Sequence, residues 1–129
     1  MGSTMNEGFM RGYYEAYNSE DESRLGAFLA DDVVLVSAQG EQRGKEAYLA
    51  TYRAIVADFT DRMTPDEIVV DGDSATVKIT DRFTARHDVA DFLGQTFKKG
   101  GGFTLKLSGN YRAEGGKIAR IDIAILGME

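Results

Sequence analysis

The chain has 129 residues, one domain's worth, and 43% of them are hydrophobic, enough for a single core. It contains no cysteine, which excludes disulfide scaffolds, zinc ribbons and thiolate nucleophiles. Fifteen basic against 21 acidic residues leave a formal charge of -6, a field that repels phosphate backbones and anionic membrane surfaces, so neither nucleic acid nor membrane is an expected partner.

Over residues 6–17, Phe9, Met10, Tyr13, Tyr14 and Tyr17 recur at three- and four-residue steps and predict a helix with one aromatic face. Asn18-Ser19-Glu20-Asp21-Glu22 ends it and supplies caps for a short second helix marked by Leu25, Phe28 and Leu29. Val33-Val34-Leu35-Val36 predicts a strand closed by a turn at Gln39-Gly40, and 44–59 predicts a third helix with Tyr48, Leu49, Tyr52, Ile55, Val56 and Phe59 on its buried stripe.

Beyond Pro65 the period changes from 3.6 to 2. Ile68-Val69-Val70, the Asp71-Gly72-Asp73 turn and alternating Ala75, Val77 and Ile79 predict a hairpin whose second strand reaches toward His87. Lys98-Lys99-Gly100-Gly101-Gly102 predicts an exposed mobile loop, either a lid or a plain hairpin connection. Phe103, Leu105 and Leu107 alternate with polar residues, and a turn at Glu114-Gly115-Gly116 leads into a last strand over 118–126. Helices first and antiparallel strands second is the order of an α+β fold, and no linker divides the single domain 1–129. No apolar run approaches the roughly 20 residues of a membrane helix, and Met1-Gly2-Ser3-Thr4 lacks the features of a signal peptide, so a cytoplasmic location is expected. One histidine and no cysteine leave little for a metal, and neither metal nor cofactor is expected.

Four phrases carry a wider resemblance: Tyr14-Glu15-Ala16-Tyr17-Asn18-Ser19-Glu20-Asp21; Leu29-Ala30-Asp31-Asp32-Val33; Gly40 with Arg43-Gly44-Lys45-Glu46-Ala47; and Gly116-Lys117-Ile118-Ala119-Arg120-Ile121. In this order they resemble the nuclear transport factor 2-like superfamily, which includes ketosteroid isomerases, SnoaL-like polyketide cyclases and limonene epoxide hydrolase. The resemblance implies a cystatin-like α+β cone, three N-terminal helices packed in a strongly curved, mostly antiparallel sheet, with an apolar pocket at the open end. It also implies a homodimer formed through the outer sheet face.

Carried over from ketosteroid isomerases, the enolate-donor tyrosine falls on Tyr13 and its supporting tyrosine on Tyr52. The base falls on Ser37 and the protonated aspartate on Ser108; an isolated serine is too weak an acid to act as the base, so that mechanism is not expected here. The Arg-x-Asp pair of the epoxide hydrolase resembles Arg82-Phe83-Thr84, which keeps only the arginine, and its last-strand aspartate aligns with Ile123, beside Asp122. SnoaL-like cyclases use a sheet carboxylate as base, a part for Asp81 or Asp122.

Sheet parity frames what the sequence leaves open. Asp81 and His87 share a face with Ala75, Val77, Ile79, Phe83 and Ala85, whereas Lys78, Arg82 and Thr84 lie opposite. If the apolar face lines the pocket, Asp81 and His87 are in it; if it is the dimer surface, Arg82 points inward. The last hairpin pairs Leu107 with Asp122 through a four-residue loop or with Ile123 through a three-residue loop. The homodimer expectation also rests on two apolar-leaning sheet faces, only one of which covers the helices.

The candidate catalytic residues are therefore Asp81, Asp122 and Tyr13, with Tyr17, Ser37, Tyr52, Arg82, His87 and Ser108 as candidate substrate contacts. The expected function is proton transfer on a small hydrophobic carbonyl-bearing molecule by a cofactor-independent isomerase or cyclase. The alternatives are a non-catalytic ligand-binding or dimeric scaffold protein, an epoxide hydrolase-like enzyme, and an interaction module acting through the outer sheet. A cavity below about 300 Å³ counts against a drug-sized ligand.

Overall fold

The computed structural model describes residues 5–129; the start Met1-Gly2-Ser3-Thr4, read above for targeting signals, lies outside the described residues. Asn6 opens α1 (Glu7–Asn18) by accepting the Phe9 N–H at 2.8 Å, and Asp21 opens α2 (Glu22–Gly26) by accepting from Ser23 and Arg24. Both helices stand where the periodicity puts them. Leu29, expected at the end of the second helix, instead begins β1 (Leu29–Ser37), which turns back as β2 (Gly40–Arg43). The third helix, α3 (Lys45–Asp58), stops one residue short of expectation, because Phe59 is already extended and buried as the first residue of β3 (Phe59–Asp71).

β3 turns at Gly72-Asp73 into β4 (Ser74–Ala85). A small hairpin follows that the sequence reading left unassigned, β5 (Val89–Phe92) and β6 (Gln95–Phe97). β7 (Gly102–Glu114) and β8 (Lys117–Met128) complete the chain. The main sheet has the order β2-β1-β8-β7-β4-β3, antiparallel throughout except for the parallel pairing of β1 with β8. It is a curved mixed sheet with the helices packed against it, the cone that the resemblance implies. Register breaks at Pro65/Glu67, Lys106/Leu107 and Arg112/Ala113 supply bends, since an extra residue on one strand increases local twist. Among the described residues no helix is long and apolar enough to cross a membrane.

The last hairpin follows neither expected register. Gly115 and Gly116 take φ of 56° and 82°, the left-handed pair of a two-residue turn, so Glu114 pairs with Lys117. With the break after Arg112 this sets Leu107 opposite Ile125 and Asn110 opposite Asp122.

Segment 98–102 is exposed as expected, but it is tied to the end of β4: Gly100 N–H donates to the Ala85 carbonyl and Ala85 N–H to that of Gly101, both at 2.8 Å. At Gly102 the β7 backbone lies so close to β4 that a Cβ would fall inside the Phe83 carbonyl oxygen. Gly102→Ala is therefore expected to lower the unfolding free energy by about 1–3 kcal/mol through backbone displacement, as read by urea denaturation; an unchanged midpoint would show that this edge yields freely.

The outward side of the sheet is mostly polar. Thr76, Lys78, Arg82, Asn110 and Arg112 are exposed there, and the large exposed apolar residues of the main sheet are confined to Val69 and Val70 on β3 and Ile125, Leu126 and Met128 on β8. The outer face is thus largely polar, with Val69 and Leu126 as its large exposed apolar side chains.

Candidate functional site

Burial alternates strictly along most of β4. Ala75, Val77, Ile79, Asp81, Phe83 and Ala85 point inward, while Lys78 and Arg82 are exposed. On neighbouring β3 the same alternation turns Phe59 and Asp61 inward. Because Met63 is opposite Asp81 and Asp61 opposite Phe83, the two aspartates are diagonal neighbours on one face of the sheet.

Asp61 and Asp81 are only 1% and 2% exposed. Tyr17 donates its hydroxyl to Asp61 Oδ2 at 2.6 Å, and the two carboxyl groups hydrogen-bond to each other. Oδ1 of each carboxyl finds no donor among the described side chains and backbone, so the pair needs a proton of its own. Burial raises both above the ordinary carboxylate range. For Asp81 desolvation and the neighbouring Asp61 push the value to about 11; for Asp61 desolvation is opposed by hydrogen bonds from Asp81 and Tyr17. The hydrogen bonds from Tyr17 and Asp81 favour the negative charge on Asp61 and the proton on Asp81.

The pair opens into a cavity of about 110 Å³ between α1, α3 and the sheet. Five tyrosines (Tyr13, Tyr17, Tyr48, Tyr52 and Tyr111) line it, with Phe83 and the Phe92–Leu93 tip of the β5–β6 hairpin. Asp61 and Asp81 are the only ionisable side chains of Asp, Glu, Lys, Arg or His among the lining residues. All six tyrosines of the chain are buried and every hydroxyl is engaged. Tyr13 and Tyr48 share a hydrogen bond of 2.5 Å, Tyr14 donates to Tyr111 at 2.8 Å, and Tyr52 donates to the Tyr17 carbonyl at 2.6 Å. Burial raises the Tyr13, Tyr17, Tyr48 and Tyr111 phenols well above their ordinary range, so they serve as neutral donors and not as phenolates.

Of the residues singled out in the sequence, Asp81, Tyr13, Tyr17, Ser37 and Tyr52 all line this cavity. Four others do not. Asp122 lies in the outward register beside Asn110, half-exposed, and receives two hydrogen bonds from Arg120 at 2.9 and 3.1 Å. Arg82 and Ser108 belong to the outward sets of β4 and β7, as single-residue parity requires. His87 lies beyond the end of β4, where the parity argument no longer holds. It is exposed, and its ring is raised above the ordinary value by the Asp88 carbonyl and by Asp58, 2.9 Å away. None of residues 98–102 lines the cavity, which favours the plain hairpin connection over the lid.

Asp61 is absent from the sequence-derived candidates, because 60–64 stands unassigned between the third helix over 44–59 and the period-2 pattern beyond Pro65. The signal was present: Phe59, Asp61 and Met63 alternate with Thr60, Arg62 and Thr64, a period of two that begins before Pro65. Tyr111 was passed over among the polar residues ahead of the last turn, and Tyr48 was read only as core. Tyr17→Phe removes one of the two donors to Asp61 and is expected to cost about 1.5–3 kcal/mol of stability, the range for a buried bond to a charged group. Equal urea midpoints for variant and parent would mean that Asp61 is uncharged in the folded protein.

No functionally curated protein matches the chain. Solved structures do. A protein of Pseudomonas putida KT2440, provisionally described as a polyketide cyclase, is 26% identical with a TM-score of 0.75, over 96% of this chain and 91% of that one. A Xanthomonas campestris pv. campestris protein with the same provisional description is 21% identical with a TM-score of 0.78, over 90% and 86%. Another from Sinorhizobium meliloti is 24% identical with a TM-score of 0.69, over 92% and 95%. The profile of the SnoaL-like domain matches residues 10–121, nearly the whole described chain, and the protein belongs to that family.

Proposed function

We propose that this protein catalyses cofactor-independent proton transfer on a small apolar carbonyl compound, with the Asp61–Asp81 pair moving the proton. The observation that carries this reading is a pair of carboxyl groups side by side in an aromatic cavity with no lysine, arginine or histidine in its walls. Low polarity splits the two into one base and one acid, the arrangement that proton transfer near neutral pH needs. In an enolisation the C–H bond next to the carbonyl breaks and its proton passes to Asp61. The carbonyl oxygen gathers the charge and takes a hydrogen bond from Asp81 or from the Tyr13–Tyr48 pair. Returning the proton to carbon restores the starting state, so no oxidant or reductant is consumed.

The substrate is small. A cavity of about 110 Å³ falls well below the range for drug-sized ligands and somewhat below the roughly 150 Å³ that holds a benzene ring, so five or six heavy atoms is its scale. The relatives provisionally described as polyketide cyclases support isomerase or cyclase chemistry as the class. The test is deuterium exchange from heavy water into the α-positions of small cyclic ketones, beginning with cyclopentanone and followed by proton NMR. Saturable exchange faster than in buffer is expected. A panel of such ketones that exchanges no faster with protein than without it would overturn the reading.

A second reading is non-catalytic ligand binding on the same fold. It is favoured by Ser37 and Ser108, which stand where the resemblance puts the steroid-isomerase carboxylates. It predicts binding of the same ketones without exchange.

A further inference from the structure

The walls of the cavity are suited to a cation, and none of its lining residues supplies one. Its two carboxyls are almost wholly buried, their Oδ1 atoms have no protein donor, and no Lys, Arg or His among the lining residues offsets their charge. Arg62, the nearest guanidinium in sequence, is exposed on the other side of β3, 3.2 Å from Glu20. Around the pair stand the rings of Tyr13, Tyr17, Tyr52, Tyr111, Phe83 and Phe92, and aromatic rings attract cations through their quadrupoles, most strongly where water is excluded.

The chemistry of these walls also says which kind of cation fits. Two carboxylates with no third acidic or imidazole group beside them fall short of the oxygen shell a hard metal ion takes, and no such group of three exists among the described residues. An alkylammonium ion brings its own apolar envelope to match the rings, with one charge to match one ionised carboxylate. We infer that the cavity binds small alkylammonium ions of about five heavy atoms, with Asp61 as counter-charge and the tyrosine and phenylalanine rings as the cage. This rests on the reading of the cavity as a ligand site but not on turnover: the ammonium group belongs to a substrate or to an inhibitor.

The test compares pyrrolidinium with tetrahydrofuran, its neutral counterpart of equal size, by isothermal titration calorimetry on the full chain near neutral pH. Pyrrolidinium is expected to bind at least about tenfold tighter, the equivalent of one desolvated cation–ring contact. In Asp61→Asn, which leaves only a protonated Asp81 in the cavity, the preference is expected to fall to within about twofold, with thermal unfolding confirming the fold. If the two ligands bind the parent protein equally well, the ligand site stands and the ammonium inference falls. If neither binds, the cavity is not a ligand site, and the inference falls with the reading beneath it. A preference that survives in Asp61→Asn also overturns it, and the comparison on the parent protein decides alone if that variant does not fold.

Discussion

Asp81→Asn is expected to slow α-hydrogen exchange by about 10²–10⁴-fold, the usual contribution of a positioned acid or base. Asparagine has nearly the same shape and still offers Asp61 an N–H donor, so the ion and its orientation are kept and only the transferable proton is lost. Asp61→Asn is expected to cost as much, and the double variant little more, because two groups that share one proton act as a unit. Asp122→Asn is the control: that carboxylate is half-exposed and bound to Arg120 on the outer face, and its loss is expected to change the rate by less than about twofold. Proton NMR of the parent and these four variants on one ketone checks the set. Exchange by Asp81→Asn at the parental rate would remove the pair from the mechanism.

The same pair sets how stability varies with pH. Asp81 is ionised in the unfolded chain above its ordinary value of 3.8, whereas in the folded protein it keeps its proton up to about 11. Across that window the folded state binds more protons than the unfolded one. The contribution is thus fully present below the unfolded value and is lost as pH rises toward the folded one. The expected slope is up to about 1.4 kcal/mol per pH unit for the one proton, and it steepens wherever Asp61 also remains protonated.

His87, raised by the Asp88 carbonyl and by Asp58, slopes the same way around neutrality but is exposed and contributes little. Urea denaturation of the parent and of Asp81→Asn between about pH 6 and 9 separates the two sources. The parent is expected to lose stability steadily as pH rises, and the variant to stay nearly level, so that the gap widens with pH. Parallel curves would show that Asp81 is ionised in the folded protein.

How far the residues alone carried the reading is clearest at β4. Its alternation of Val77, Ile79, Asp81 and Phe83 with Lys78 and Arg82 follows from the period of a strand and needs no knowledge of the rest of the chain. That an aspartate shares the apolar side was therefore legible, as were the aromatic stripe of α1 and the caps at Asn6 and Asp21, all local properties of the backbone. Which side of the sheet the helices cover is not local. It depends on where α1 and α3 pack, and that choice put Asp81 in the cavity and left Arg82 and Ser108 outside.

The partner of Asp81 was further out of reach. Asp61 lies 20 residues earlier, and the two meet only because Pro65 and Glu67 break the β3–β4 register, a long-range pairing that no window of sequence contains. Asp122 shows the converse. Its setting between Ile121 and Ile123 gave it the same apolar neighbours as Asp81, but the two-residue Gly115-Gly116 turn and the break after Arg112 placed it opposite Asn110, facing outward. Sequence by itself pointed to most of the elements, their family and one carboxyl of the candidate site, because propensity and period act within a few residues. Tertiary structure alone decided that this carboxyl is one of a pair, because register and helix docking are set by contacts between strands far apart in the chain.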